Sequence, residues 1–197
     1  VVLVAPSWQE DCLLDLCADE VVEPLLGRGF SVIVRPHPEY TKRYHARWES
    51  LQQRYASWSR DDIYFEQDFS TSDSVYDADV LVTDWSSIAC EFSFTTMKPC
   101  VFVDTPMKVT NPDWEELGIE PADLAIRNQI GASLAMEELS RLGDVVEDMV
   151  ARPEAWRNRI EEVRSRMIYH KGRGGEIAGA YLLDRMLAKQ GDRAVEA

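Results

Sequence analysis

At 197 residues with 45% apolar content, the chain is long enough to bury a sizeable core as one unit. Its 21 basic residues against 35 acidic ones leave a formal charge of −14, which repels a phosphate backbone or an anionic membrane over most of the surface and argues against nucleic acid as a partner. No apolar run reaches the roughly 18 to 20 residues of a membrane span, and no basic segment leads into the apolar start as in a signal peptide.

The opening at Val1, inside a strand-like run and without a methionine, points to a piece of a longer protein. Val1 to Ala5 predicts a short buried strand, Pro6-Ser7-Trp8 ends it, and apolar residues at helical spacing from Leu13 to Leu26 predict a helix closed by Gly27 and Gly29. The pattern then repeats. Val32-Ile33-Val34 is β-branched, Pro36 and Pro38 stop it, and Tyr44, Trp48, Leu51 and Tyr55 form a stripe at helical spacing between Tyr40 and Ser57.

A third strand is expected at Ile63 to Phe65, a polar helix or turn from Ser70 to Tyr76, and a fourth strand at Val80 to Val82. Asp84-Trp85-Ser86-Ser87 opens a helix running through Phe94, and Lys98-Pro99 ends it before a fifth strand at Cys100 to Val103. Thr105 to Asp123 reads as a long loop, Leu124-Ala125-Ile126 as a weak sixth strand, and everything from Ser133 onward as helical, with breaks at Pro153 and Gly172 to Gly175. One domain is expected over residues 1–190, with a frayed tail at 191–197. Apolar strands alternating with helices imply a doubly wound parallel α/β sheet, in which ligands sit beyond the carboxyl ends of the strands.

Three polar clusters fall at such strand ends: Pro6-Ser7-Trp8, Arg35-Pro36-His37-Pro38 and Thr83-Asp84-Trp85-Ser86-Ser87. Two flanking prolines restrict the backbone around His37 and aim its ring at one place, which suits a phosphate oxygen. A proline-turn surface histidine is the plainer alternative. Ser86 and Ser87 bring hydroxyls and free backbone N–H groups to a helix start, where the dipole attracts an anion such as a diphosphate, although Asp and Ser there also make an ordinary N-cap. Glu91, four residues past Ser87, faces the same crevice on a regular helix and suits ribose hydroxyls.

Residues 152–173 hold seven Lys or Arg against three Glu, most simply a solvated helix face. His45 and His170 have no partner at metal-ligand spacing and the four cysteines match no zinc pattern, so neither a metal nor a cofactor is expected and the thiols read as reduced. A nucleophile elbow, a Walker loop and a Gly-x-Gly-x-x-Gly motif are all lacking.

Leu3-Val4-Ala5-Pro6-Ser7-Trp8, Arg35-Pro36-His37-Pro38, Asp79 to Ser87, Glu91-Phe92 and Lys98-Pro99 together resemble the CDP-glycerol glycerophosphotransferase family of teichoic acid and capsule polymer synthesis. The resemblance implies the C-terminal, donor-binding half of a bacterial two-domain GT-B enzyme. It places the donor at Ser7, Arg35, His37, Asp84, Ser86, Ser87 and Glu91. His37 then contacts and stabilises the diphosphate, Ser86 and Ser87 hold its oxygens, Glu91 or Asp84 orients the ribose, and Ser7 lines the floor. The family's Trp-His-Gly general base, in an N-terminal acceptor domain, has no counterpart here, so the isolated chain is expected to be inactive. The implied partners are a CDP-alditol donor and a polymer or lipid-linked acceptor, and the implied location is cytoplasmic, with the whole enzyme peripheral on the inner face of the membrane. Thr105-Pro106-Met107-Lys108 departs from the tyrosine-bearing loop of the family, which leaves the transferred group open. A nucleotide-sugar transferase, a UDP-sugar epimerase domain of the same fold, and a non-catalytic nucleotide-binding module remain as alternatives.

Overall fold

The computed structural model describes residues 1–109 and 111–195, with the side chains of 190–195 left out of the description. Two compact units divide the chain, Val1–Val163 and Arg164–Ala197. The first holds a six-stranded, all-parallel sheet formed by β1 (Val2–Val4), β2 (Val32–Val34), β3 (Ile63–Phe65), β4 (Val80–Thr83), β5 (Cys100–Asp104) and β6 (Gly131–Ala135). The spatial order is β3-β2-β1-β4-β5-β6. Every residue of β1 and β4 is buried, as expected for strands covered on both faces, and this is why they read as unbroken apolar runs.

The doubly wound sheet is therefore the fold expected from the sequence. The chain runs outward from β1 through β2 to β3, then returns to lay β4 on the other side of β1. The direction reverses between β1 and β4, and the loops leaving those two strands diverge there, opening the crevice that such a switch point provides.

The helical stretch after β1 is interrupted. α1 (Leu13–Leu16) and α2 (Ala18–Leu26) are separated at Cys17, whose backbone leaves helical geometry (φ −150°, ψ 34°). α3 (Pro38–Arg43) and α4 (His45–Arg54) follow β2, and the predicted stripe buries Trp48, Leu51 and Tyr55 while Tyr44 is half-buried. Two phenols tie these helices to the previous pair: Tyr40 donates to Asp15 at 2.8 Å and Tyr55 to Asp19 at 2.8 Å. α5 (Asp73–Asp77) precedes β4, and α6 (Ile88–Thr96) connects β4 to β5.

The sixth strand is not where the sequence placed it. Leu124 to Ile126 belongs to α7 (Ala122–Ala125) and the residue after it, α8 (Arg127–Ile130) follows, and the strand is Gly131–Ala135, which runs into the stretch from Ser133 expected to be helical. Ile126 and Ile130 are both buried one helical turn apart, which decides for helix. Gly-Ala-Ser-Leu-Ala has no β-branched residue to announce a strand. It is a strand because five residues pair in register with β5, starting at Cys100 opposite Gly131. Gly131 is required there, since a Cβ would stand 2.0 Å from the Cys100 carbonyl oxygen.

After a 3₁₀ turn at Met136–Arg141, α9 (Leu142–Ala151) and α10 (Pro153–Met167) complete the described helices of the first unit, with Pro153 at the start of α10 where a missing N–H costs nothing. The second unit holds the end of α10 and α11 (Gly174–Val195). The tail expected to fray at 191–197 is helical in backbone through Val195, while Glu196 and Ala197 lie outside the described residues. Within the described residues no helix is long and apolar enough to cross a membrane. All four cysteines are free thiols, and burial pushes Cys12, Cys17 and Cys100 up to about 12.

Candidate functional site at the switch point

Asp84, the residue after β4, organises the crevice. It is 1% exposed, and its carboxylate accepts from three backbone N–H groups: Ser7 at 2.7 Å, Leu13 at 3.0 Å and Trp85 at 2.7 Å. It thereby fixes the loop leaving β1, the start of α1 and the entry to α6. Thr83 adds a hydroxyl bond to the Ala5 carbonyl at 2.7 Å across the same pair of strands. Asp84 thus faces backbone, and its work is to position the loops that line the cleft.

Those loops enclose a cleft of about 320 Å³ whose walls include Pro6, Arg35, His37, Phe69, Ser86, Ser87 and Glu91. Five of the seven residues singled out from the sequence line it directly, and the other two, Ser7 and Asp84, sit behind it. Ser7 donates its backbone N–H to Asp84, is only 2% exposed, and its Oγ has no hydrogen-bond partner.

Ser87 occupies the N-cap of α6, yet no side chain caps that helix. Among the described residues the hydroxyls of Ser86 and Ser87 engage no protein group. The capping alternative weighed from the sequence is therefore not the arrangement found, and both hydroxyls stand at the positive end of a nine-residue helix beside the cleft. Glu91 is exposed one turn further on, at the cleft wall.

His37 is the N-cap of α3. Its Nδ1 accepts the Glu39 N–H at 3.1 Å, with Pro38 in the first turn, so the ring is oriented by a cap as well as by its prolines. Burial lowers its pKa from the usual histidine range; Glu39 opposes this, and Lys108 and Lys42 reinforce it. At pH 7 the ring is neutral, and because Nδ1 is an acceptor the proton sits on Nε2, ready to donate. The unfolded chain then takes up the His37 proton first as the pH drops below about 6.5. Stability linked to this group is complete above that pH and is lost as the pH falls toward the lowered folded value. Urea unfolding at pH 7.5 and 5.5 is expected to show the stability lead of the wild type over His37→Gln shrinking at the lower pH. A lead that widens would contradict the assignment.

Arg35 is committed to the scaffold. Its Nη1 reaches Glu66 at 2.7 Å and Ser74 Oγ at 3.1 Å, and its Nη2 reaches the Thr71 carbonyl at 3.1 Å. Its guanidinium lies 5.5 Å from the Phe69 ring centroid, so it sets the 66–74 loop and puts an aromatic ring in the cleft wall.

Sequence reasoning missed Phe69 and Arg127, and gave no role to Trp8 although it stands in the first strand-end cluster. Arg127 is 7% exposed and lies 4.0 Å from the Trp85 ring centroid and 4.5 Å from that of Phe102. It binds Asp104 at 2.5 Å and the Asp84 carbonyl at 3.0 Å, locking the ends of β4 and β5 together; burial lowers its pKa while Asp104 opposes this. A lone arginine just past a segment read as a strand gave no signal for that role. Among the described residues no three His, Cys, Asp or Glu side chains converge as a metal site would need.

Comparison with known proteins agrees with this architecture. The chain resembles a glycotransferase of kitacinnamycin, with a TM-score of 0.57 and 14% identity, over 93% of this chain and 42% of that one. TarM gives 0.52 and 9%, over 93% and 34%. The UDP-GlcNAc 2-epimerase of Methanocaldococcus jannaschii gives 0.51 and 16%, over 77% and 38%. At such identities the likeness is one of fold, and the chain spans well under half of each of these structures. No curated protein matches the sequence. The family comparison is more specific, because the match covers residues 1–117 and so contains Asp84 and every residue that lines the cleft. On that match the chain belongs to the CDP-Glycerol:Poly(glycerophosphate) glycerophosphotransferase family.

Proposed function

We propose that this chain is the donor-binding half of an enzyme that moves glycerol phosphate, or a related alditol phosphate, from a CDP-linked donor to a cell-wall or capsule polymer. The observation that carries the reading is the pair of unengaged hydroxyls, Ser86 and Ser87, at the start of α6, facing His37 in one cleft. A diphosphate is the ligand such a helix terminus suits. The Phe69 ring offers a stacking face for the base, and the exposed Glu91 carboxylate accepts from ribose hydroxyls.

In the reaction an acceptor oxygen attacks the β-phosphorus while the bond from that phosphorus to the oxygen bridging to CMP breaks, so CMP leaves with the bridging oxygen. His37 donates Nε2–H to a phosphate oxygen, and Ser86 and Ser87 hold the others, stabilising charge as it shifts to the leaving group. The acceptor, polymeric or lipid-linked, and the base that takes its proton belong to a part of the protein outside these residues. No metal or cofactor enters this scheme, which operates at the cytoplasmic face of the membrane.

Calorimetric titration with CDP-glycerol, CDP, CMP and UDP tests the reading. Saturable binding of the cytidine diphosphates, weaker UDP binding and a loss of about tenfold in His37→Ala are expected. Equal affinity for UDP would favour a nucleotide-sugar enzyme. Full activity of the longer protein with His37→Ala would favour a non-catalytic binding module.

A further inference from the structure

Neither basic residue that the sequence placed at the site brings a free positive charge to the cleft. Arg35 is bound to Glu66, Ser74 and Thr71, and His37 is neutral at pH 7. Lys108 is a different case: it lines a second cavity, shared with Trp85 and Asp123, outside the cleft wall. It is half-buried in the loop after β5, and its Nζ lies 5.2 Å from the centroid of the Trp8 ring, itself 6.2 Å from the His37 ring. Among the described residues no carboxylate lies within ion-pair distance of it. An ammonium held over an indole beside a neutral imidazole is an attractive place for an anion.

The loop that carries Lys108 is fixed to the site. Trp85 Nε1 donates to the Thr105 carbonyl at 2.8 Å, and Gln9 Nε2 donates to the Pro106 carbonyl at 3.0 Å. The same two loops hold the buried polar atoms that lack a partner: Ser7 Oγ, Gln9 Oε1 and Thr105 Oγ1, with Ser7 2% and Thr105 4% exposed. Buried polar atoms are nearly always hydrogen-bonded. Three orphans in these two loops leave hydrogen-bonding capacity beside Lys108 that a water or a ligand group can take up.

We propose that Lys108 is a substrate-binding cation of this site and takes the distal phosphate of a nucleoside-diphosphate-linked donor. The proposal rests on the donor reading above. It divides the diphosphate between two sets of groups: the start of α6 holds the phosphate next to the nucleoside, and Lys108 neutralises the one that is transferred. Trp8 keeps the Lys108 ammonium near His37, so the two act on the same phosphate.

The test compares CDP with CMP by calorimetry on the wild type, Lys108→Met and Lys108→Arg. Loss of one charge-assisted contact is expected to weaken CDP about tenfold in Lys108→Met. CMP affinity should stay within about twofold, because CMP lacks the distal phosphate, and Lys108→Arg should recover most of the CDP affinity. An unchanged melting temperature in Lys108→Met would support a binding role, since the side chain has no ion-pair partner to lose. Wild-type CDP affinity in Lys108→Met would overturn the proposal and leave the donor reading standing. Equal weakening of CDP and CMP would also overturn it. Failure of the wild type to bind any cytidine nucleotide would overturn both.

Discussion

Replacing Asp84 by alanine is expected to destabilise the chain by about 4 kcal/mol, the largest effect of any substitution at the site. The carboxylate is buried and accepts from Ser7, Leu13 and Trp85. Removing it leaves three backbone donors without that partner, those of Ser7 and Leu13 buried and that of Trp85 part-buried. A hydrogen bond to a charged group contributes about 1.5 to 3 kcal/mol, and an unsatisfied buried donor costs about 1 to 3. The three bonds share one carboxylate and relax together, so the total falls below their sum. Urea unfolding reads the effect, and thermal unfolding is expected to shift down by roughly 10 °C. A loss under about 1 kcal/mol would mean that the loops leaving β1 and β4 hold each other by other contacts. Asp84→Asn should recover part of the stability, because its amide oxygen still accepts although with less charge.

The second large effect is on binding and leaves stability alone. Ser86→Ala together with Ser87→Ala is expected to weaken CDP roughly a hundredfold, from two hydroxyl contacts to charged oxygens. An N-cap serine ordinarily contributes about 1 kcal/mol to its helix. Neither serine caps α6, so the double variant should unfold within about 0.5 kcal/mol of the wild type. This split between calorimetry and unfolding separates a ligand site from a helix cap. Stability lost with affinity retained would reverse the assignment.

The polar residues that line the cleft were legible, and Phe69 was not, because strand-end position, residue type and spacing are local properties. His37, Ser86, Ser87 and Glu91 lie beside one cleft because β1, β2 and β4 are neighbours, and the alternation of apolar strands with helices already implied such a sheet. The roles of Arg35 and Asp84 were less legible. A charged residue at a strand end reads as a ligand group, and whether its charge is already used depends on residues far along the chain. Glu66 and Ser74 occupy Arg35 from 31 and 39 positions away, and Ser7 and Leu13 occupy Asp84 from 77 and 71.

The sequence by itself determined the core strands β1 to β5, because each is a short apolar run bounded by polar residues or proline. It also determined the site's chemical character, an imidazole and hydroxyls at helix starts in an acidic chain. Only the tertiary structure decided that Gly131–Ala135 is a strand, since its pairing partner β5 supplies the hydrogen bonds its own residues do not demand. Only the tertiary structure decided which basic groups are free. Arg35 and Lys108 are alike in a sequence, and they differ because burial places Glu66 against one and an aromatic ring, Trp8, against the other.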